Sequence, residues 1–177
     1  MLMANDYQNL KMDLEGSYSL SHKDDADKLS ILIKDKYGDI KIMDATSGIG
    51  GNSISFGNNF TNVISIEQDS QRFLFLQENL KKYNVNNQTF NGNFIDYINM
   101  DYDLIFIDPP WGGPKYKLEK SIRLYMNNNN LREITKKLKE NNKIIAWKLP
   151  FNYDLNDFNN FNYQIHKIKN YLIIIIE

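Results

Sequence analysis

The chain has 177 residues, of which 42% are hydrophobic, and it carries a formal net charge of −1 at pH 7. A chain of this length buries one good core, so we expect a single domain over residues 1–177, with residues 1–40 as a short N-terminal helical segment. The near-neutral charge excludes wholesale polyanion binding as the main activity, although a local basic patch can still hold phosphates.

Cysteine is absent, and His22 and His166 are the only histidines. The chain therefore has no disulfide framework and no thiolate metal site, and we expect no bound metal. The amino terminus lacks the pattern of a signal peptide, and the longest apolar run, residues 172–176, is too short to span a bilayer. These features predict an intracellular protein, in the cytoplasm or nucleus, that does not bind membranes.

Asparagine is unusually frequent, with four in a row at residues 127–130 and several further pairs at predicted turns. The simplest interpretation is the codon bias of an AT-rich genome acting on loops that tolerate polar residues. Such a bias is typical of large viruses and of protists, and it does not choose between them.

Short apolar strands alternate with helical stretches along the chain. Strands are predicted at residues 41–46, 63–67, 104–107 and 144–148, with a weaker one near 89–90. Helices are predicted at residues 52–57, 70–83 and 131–140, the second with Ser70 as its N-cap. This alternation predicts a parallel, doubly wound sheet. The last two segments, 163–168 and 171–177, are so close in sequence that they can pair only as an antiparallel hairpin.

A glycine loop follows the first predicted strand. Residues 44–52 read Asp-Ala-Thr-Ser-Gly-Ile-Gly-Gly-Asn, and such glycines let a ligand approach the backbone where a helix begins. The spacing is not the G-x-G-x-x-G of dinucleotide enzymes. The leading acid, Asp44, better suits a cofactor that carries an ammonium group, and its alternative role is to cap the following turn.

Glu67 ends the second predicted strand, 23 residues after Asp44. A carboxylate at this place can accept hydrogen bonds from both hydroxyls of a ribose, and without a basic partner it repels a 2′-phosphate. An exposed charge at a strand end is the alternative interpretation. The two acids and the glycine loop, in this order, together favour a ligand-binding role.

The segment from Asp103 to Pro114 is the most informative part of the sequence. A short apolar run, residues 104–107, has the composition of a strand buried on both faces, and ligands of open α/β sheets bind at the carboxyl ends of such strands. The following residues are Asp108, two prolines, Trp111 and two glycines, which make a stiff loop with a sharp turn. The loop is predicted to present Asp108 and Trp111 together, which is the layout of a site that methylates an exocyclic amino group.

From Lys11 to its end, the sequence resembles the catalytic domain of trimethylguanosine synthases, the cap-specific guanine-N2 methyltransferases. The specific signature is Pro-Pro-Trp-Gly-Gly-Pro at residues 109–114, and more widely shared stretches match at residues 11–20, 44–52, 64–69, 92–94 and 149–152. The resemblance implies a class I, Rossmann-like α/β fold with a mostly parallel doubly wound sheet closed by an antiparallel C-terminal hairpin. It also implies an enzyme that transfers methyl from S-adenosyl-L-methionine to N2 of the 7-methylguanosine cap of RNA. We expect this enzyme to be a monomer.

The resemblance further implies which residues form the site. The cofactor is expected to contact Asp44, Thr46, Gly48, Gly50, Gly51, Asn52, Glu67, Gln68, Asn93, Phe94 and Asp108. Catalysis is expected to use Asp108, the carbonyl of Pro109, and Trp111 stacked on the 7-methylguanine. Further substrate contacts are expected from Tyr18, Lys115 and Phe151.

The sequence also allows other activities. Most trimethylguanosine synthases have serine at the position of Asp108, whereas aspartate is common in adenine-N6 and ribosomal guanine-N2 methyltransferases, so methylation of such a base is one alternative. A non-catalytic cap-binding or scaffold subunit is an alternative of another class.

The sequence also predicts where several side chains outside these motifs lie. Four cations could contact phosphates: Lys115, Lys117, Arg123 and Lys148. A solvated surface position is the simpler interpretation for them, but it is weaker for Lys115 and Lys117, which flank the site loop. Trp147 is expected in the core, and His166 is expected to be exposed on a strand.

Overall fold

The computed structural model describes Tyr7 and residues 9–177, and the chain divides into two compact units, Met1–Asp103 and Leu104–Glu177. The elements of the first unit are α1 (Leu14–Ser19), α2 (Lys23–Tyr37), β1 (Ile42–Asp44), α3 (Gly51–Asn59), β2 (Val63–Glu67), α4 (Ser70–Lys82) and β3 (Gln88–Asn91). A 3-10 helix, Phe94–Tyr97, follows β3. The predicted helical segment at residues 1–40 includes α1 and α2, while its residues 1–6 and 8 lie outside the described residues.

The second unit begins with β4 (Leu104–Ile107) and a 3-10 helix, Gly113–Leu118. Its further elements are β5 (Tyr125–Met126), β6 (Asn129–Asn130), α5 (Leu131–Lys139), β7 (Ile144–Pro150), β8 (Tyr163–Ile168) and β9 (Tyr171–Ile176), with a 3-10 helix at Leu155–Phe158. Strands β5 and β6 form a small separate antiparallel pair.

The strands of the first unit are ordered β3-β2-β1, and those of the second unit are ordered β4-β7-β9-β8. Strand β2 pairs in parallel with β1 and β3, and β4 pairs in parallel with β7. Strand β9 is antiparallel to both β7 and β8, with only Lys169 and Asn170 between β8 and β9. The predicted fold class and the predicted C-terminal hairpin are therefore confirmed.

Strands β4 and β9 contain continuous apolar runs, which is the composition of strands that are covered on both faces. All four residues of β4 are fully buried, and so are Ile173 to Ile176 in β9. Trp147 in β7 is also fully buried, and its indole N–H donates to Thr135 Oγ1 of α5 at 3.1 Å. The prediction that Trp147 belongs to the core is confirmed.

Two local predictions were wrong. The N-cap of α4 is Asp69 rather than Ser70, because the Asp69 carboxylate reaches and accepts from the backbone N–H groups of Gln71 and Arg72. His166 is half-buried rather than exposed, because its side chain packs so that the ring Nε2 is buried, with no hydrogen-bond partner among the described residues.

Among the described residues, no helix is both long and apolar enough to cross a membrane.

Candidate functional site

The glycine loop of the first unit connects β1 to α3. Gly48 and Gly50 have φ angles of +54° and +106°, which side chains with a Cβ rarely adopt, so glycine is required for this turn. A Cβ on Gly50 would also lie 3.1 Å from Leu76 Cδ1 of α4. Gly50 is the N-cap of α3 without a side-chain cap, which leaves the first backbone N–H groups of that helix available to a ligand.

Glu67, at the end of β2, holds this loop in place. Its Oε2 accepts from the backbone N–H of Gly48 at 2.7 Å, and its Oε1 accepts from that of Asp69 at 2.8 Å. The residue is only 8% exposed, and burial raises the pKa of the carboxyl group while the two N–H groups oppose that rise. A carboxylate has about four lone-pair sites, so these two bonds leave capacity for ribose hydroxyls.

Asp44 is fully buried at the end of β1. Its Oδ2 accepts from Ser53 Oγ at 2.6 Å, and its Oδ1 accepts from the backbone N–H of Thr46 at 3.3 Å. The side chain therefore caps the turn, which was the alternative to ammonium binding, and it also ties the loop to α3. The ammonium contact itself stays a prediction.

The other predicted cofactor residues lie in α3, after β2 and at the 3-10 helix that follows β3. Asn52 in α3 is 8% exposed, and its side-chain oxygen is buried with no hydrogen-bond partner among the described residues. Gln68 is exposed after β2. Asn93 caps the 3-10 helix by accepting from the N–H of Ile95, and Phe94 beside it is 3% exposed. A buried acceptor without a donor is available to a ligand that brings one.

Residues that the sequence did not single out fasten the amino-terminal chain to the glycine loop. The Tyr7 hydroxyl donates to the carbonyl of Gly51 at 2.7 Å. Asn79 of α4 donates to the carbonyls of Ile49 and Lys11 and accepts from the N–H of Lys11. Its position between Leu76 and Leu80 on the buried face of α4 was the available signal, because a polar residue there needs partners.

Helix α1 lies against the same loop and carries Tyr18. Asp13 caps the helix by accepting from the N–H of Gly16 at 2.7 Å, and Arg72 of α4 pairs with Asp13 and Glu15. A Cβ on Gly16 would approach Ile49 Cγ2 to 2.9 Å, so the helix packs closely on the loop. Tyr18 is 74% exposed, which leaves its ring accessible to a substrate.

In the second unit, Asp108 follows β4 and forms a buried ion pair with Lys148 of β7. Lys148 Nζ lies 2.6 Å from Asp108 Oδ2, and the two side chains are 7% and 17% exposed, respectively. Burial raises the pKa of the Asp108 carboxyl, and the nearby Lys148 opposes that rise. The expectation of a solvated surface position for Lys148 was wrong, because Lys148 faces a carboxylate that is 40 residues away in the sequence.

Trp111 lies beside this pair. Lys148 Nζ is 5.6 Å from the centre of the indole ring, and the Tyr116 ring meets it edge-on at 5.2 Å and 86°. The indole N–H is buried and makes no hydrogen bond of good geometry within the described chain, but its closeness to Asp108 helps to lower the pKa of that carboxyl. The structure thus brings Asp108 and Trp111 together as the sequence predicted.

The segment after Trp111 is anchored by Asn152, whose side-chain N–H groups donate to the carbonyls of Tyr116 and Glu119, both at 2.8 Å. Sequence reasoning matched Asn152 to a family stretch but did not assign it this role. Pro109 is buried. The Asn152 side chain thus ties the segment that follows the stiff proline pair to the end of β7.

The remaining candidate substrate residues are accessible. Lys115 and Lys117 are exposed. Phe151 is 44% exposed, and Lys167 Nζ lies 4.8 Å from the centre of its ring. Arg123 pairs with Asp154 at 2.9 Å, so its charge is already partly neutralised. Of the cations proposed for phosphate contacts, Lys115 and Lys117 therefore remain the most available.

Comparison with known proteins places the chain in a family. Residues 40–175 match the RNA cap guanine-N2 methyltransferases. The chain belongs to this family. It is 34% identical over 139 residues to the uncharacterized protein L320 of Acanthamoeba polyphaga mimivirus, covering 75% of this chain and 52% of that protein. It is 33% identical over 118 residues to the trimethylguanosine synthase of Schizosaccharomyces pombe, covering 62% and 49%.

The family resemblance expected from the sequence is thereby confirmed, and the viral relative agrees with the asparagine bias. The chain spans about half the length of these two relatives. Among solved structures, it is similar to the 16S rRNA N2 methyltransferase of Thermus thermophilus in complex with AdoMet and guanosine, with a TM-score of 0.65 at 14% identity over 97% of this chain and 45% of that chain. This similarity supports the class I methyltransferase fold.

Proposed function

We propose that this member of the cap guanine-N2 methyltransferase family transfers a methyl group from S-adenosyl-L-methionine to N2 of the 7-methylguanosine cap of RNA. The observation that carries the proposal is the loop after β4, where Trp111 lies beside the buried Asp108 carboxylate. An aromatic face and a carboxylate acceptor are what a cationic base with an exocyclic amine requires. The proposed substrate is capped RNA in the cytoplasm or nucleus of a host cell.

The glycine loop fits the proposed cofactor. Asn52 has a buried oxygen without a donor among the described residues, and the ammonium group of the methionine moiety would supply one. Glu67 is held at the end of β2, where its remaining lone pairs would accept from the ribose hydroxyls. When bound, S-adenosyl-L-methionine supplies an electrophilic methyl group on a sulfonium sulfur.

Trp111 supports selection of the methylated base. 7-Methylguanine carries a positive charge delocalised over its ring, so an indole face gains both stacking and cation–π attraction, each on the order of 1 kcal/mol. Unmethylated guanine gains less. The edge-on Tyr116 ring holds the indole in position, and the exposed rings of Tyr18 and Phe151 are candidates for further contact with the base.

Asp108 and the carbonyl of Pro109 are proposed to orient the amine. Hydrogen bonds from the amine N–H groups to these acceptors direct the nitrogen lone pair toward the methyl group and stabilise the positive charge that develops on nitrogen. Asp108 and the Pro109 carbonyl would hold the amine while its nitrogen takes the methyl group, and one N–H proton would then leave through this hydrogen bond to solvent. Orientation of this kind supplies up to about 7–11 kcal/mol of the barrier reduction.

A second candidate activity is methylation of an amino group on an uncapped base, either N6 of adenine or N2 of an internal guanine. The observation in its favour is Asp108 itself, which stands where most trimethylguanosine synthases have serine. A carboxylate accepts equally from either amine, so it does not select the cap.

The deciding experiment is methyl transfer from radiolabelled S-adenosyl-L-methionine to 7-methylguanosine triphosphate, to guanosine triphosphate and to an uncapped RNA. We expect transfer to the methylated nucleotide only. Transfer to the uncapped RNA alone would favour the second candidate. Binding of 7-methylguanosine triphosphate without any transfer would replace both with a non-catalytic cap-binding role.

A further inference from the structure

Burial of the ion pair between Lys148 and Asp108 costs free energy, and a contribution to the stability of the fold does not account for its presence. Both side chains are largely buried, and taking an ammonium group and a carboxylate out of water is expensive even when the two are paired. Apolar side chains of similar volume often stabilise a fold better than such a pair. Buried, strongly interacting ionisable groups are instead common at functional sites.

The surroundings of Lys148 connect it to the site. Strands β4 and β7 are parallel neighbours, so the residue after β4 and a residue late in β7 lie at the same edge of the second unit. Lys148 Nζ is 2.6 Å from Asp108 Oδ2, 5.6 Å from the centre of the Trp111 ring and 5.0 Å from that of Tyr171 on β9. One cation thus contacts both the proposed amine acceptor and the proposed stacking residue.

We propose that Lys148 is a positioning residue that keeps Asp108 ionised and oriented, so that its carboxylate accepts a hydrogen bond from the exocyclic amine of the substrate base. This inference rests on the proposed function, because it concerns how that site recognises an amine. Lys148 does not contact the reacting atoms in this scheme and acts only through Asp108.

The physical reason is the low polarity around the carboxyl group. A buried carboxylate that lacks a cation takes up a proton at higher pH, because burial disfavours its charged form. The protonated group is a weaker acceptor and presents an O–H donor where an acceptor is needed. Within the described part of the chain, the Tyr171 ring of β9 and the Trp111 ring lie against Lys148, and Lys148 itself carries the charge that favours ionised Asp108.

The test measures the ionisation of Asp108 directly in the full chain. Carbon-13 NMR of aspartate-labelled protein gives the carboxyl titration, with the Asp108 signal identified by its loss in Asp108→Asn. We expect Lys148→Met to raise the Asp108 midpoint by about one pH unit or more, since an opposite charge at this distance shifts a carboxyl by roughly 1–3 units. Lys148→Arg keeps the charge and is expected to keep the midpoint. Lys137→Met, an exposed lysine of α5, is the matched control.

The kinetic readout is the pH dependence of kcat/KM for 7-methylguanosine triphosphate. The acid limb is expected to move upward in Lys148→Met by the same amount as the NMR midpoint, with rescue in Lys148→Arg. Circular dichroism checks that each variant is folded, and Lys148→Gln is a second neutral variant if Lys148→Met does not fold.

The outcomes separate the two proposals. An Asp108 midpoint that stays in place in a folded neutral variant overturns the inference, as does a shifted midpoint without a shifted acid limb in an active enzyme. A parent protein that transfers no methyl to any of the three substrates, while its neutral variants still move the Asp108 midpoint, refutes the proposed function and leaves the effect of Lys148 on Asp108 supported.

Discussion

The carboxylate of Glu67 accepts a hydrogen bond from the backbone N–H of Gly48 at 2.7 Å, so the end of β2 fixes the shape of the glycine loop that follows β1. One side chain therefore has two tasks in the proposed cofactor site. It holds the loop, and its remaining lone pairs are available to ribose hydroxyls. Any change at Glu67 is expected to affect cofactor binding through both tasks.

Replacement of Glu67 by alanine is expected to weaken S-adenosyl-L-methionine binding by about 1.5–3 kcal/mol, the range for loss of hydrogen bonds to a charged group. Isothermal titration calorimetry measures the affinity. Asp35→Ala removes an exposed carboxylate of α2 and is the control. An unchanged affinity in Glu67→Ala would refute the ribose assignment.

Truncation of Trp111 to alanine should raise the Michaelis constant for 7-methylguanosine triphosphate by roughly tenfold or more, because stacking and cation–π attraction are both lost. Trp111→Phe should lose less, since part of the aromatic face remains. Steady-state kinetics with Tyr125→Ala, an exposed aromatic residue of β5, provides the comparison. The stacking role is wrong if the Michaelis constant of Trp111→Ala matches that of the parent.

We expect the effects of replacing Asp108 and Lys148 on the free energy of unfolding to be strongly non-additive in a double-mutant cycle. Asp108→Ser leaves a buried ammonium group without its carboxylate and is expected to cost about 3–5 kcal/mol. Adding Lys148→Met removes the stranded charge, so the double variant should recover most of that loss. Urea unfolding of the four proteins gives the coupling energy, and simple additivity of the two single changes would contradict the prediction.

We expect the contribution of the Asp13 cap of α1 to the free energy of unfolding to depend on pH. The backbone N–H of Gly16, followed by Arg72, lowers the pKa of Asp13 below its ordinary value of 3.8. A lowered folded pKa means that the stabilisation is complete above the unfolded pKa and is lost as the pH falls through the folded value. Asp13→Ala should therefore cost ~1 kcal/mol at neutral pH, the usual value for an N-cap, and less in strong acid. Urea unfolding at neutral and acidic pH checks this, and an equal cost at both would contradict it.

Asn79 links the amino-terminal chain to the glycine loop, so we expect its replacement to affect both stability and cofactor binding. Asn79→Ala leaves the carbonyls of Ile49 and Lys11 without this donor and is expected to lower the free energy of unfolding by about 2–3 kcal/mol. Cofactor affinity should fall as well, since Ile49 belongs to the loop. Urea unfolding and calorimetry measure the two effects against Asn160→Ala, an exposed control. A stability loss with unchanged cofactor affinity would show that the link does not reach the cofactor site.

The strands and the main helices were predictable because their signals are local. The apolar run at residues 104–107 and the run at residues 63–67 became β4 and β2 with those bounds, and the short gap between β8 and β9 left only an antiparallel hairpin. The cap of α4 was missed by one residue, since both Asp69 and Ser70 are good N-caps and only the backbone geometry decides between them.

The fold class and the stiff loop that carries Asp108 and Trp111 could be predicted from the residues alone, because strand periodicity, glycine and proline act over a few neighbouring residues. Which distant side chains meet could be seen only in the folded chain. Lys148 became the buried partner of Asp108, and Asn79 became the link between Lys11 and the glycine loop, although neither pairing leaves a local pattern. The physical reason is that a buried polar group must find a partner, and which partner it finds depends on strand and helix neighbours that are set by the whole chain.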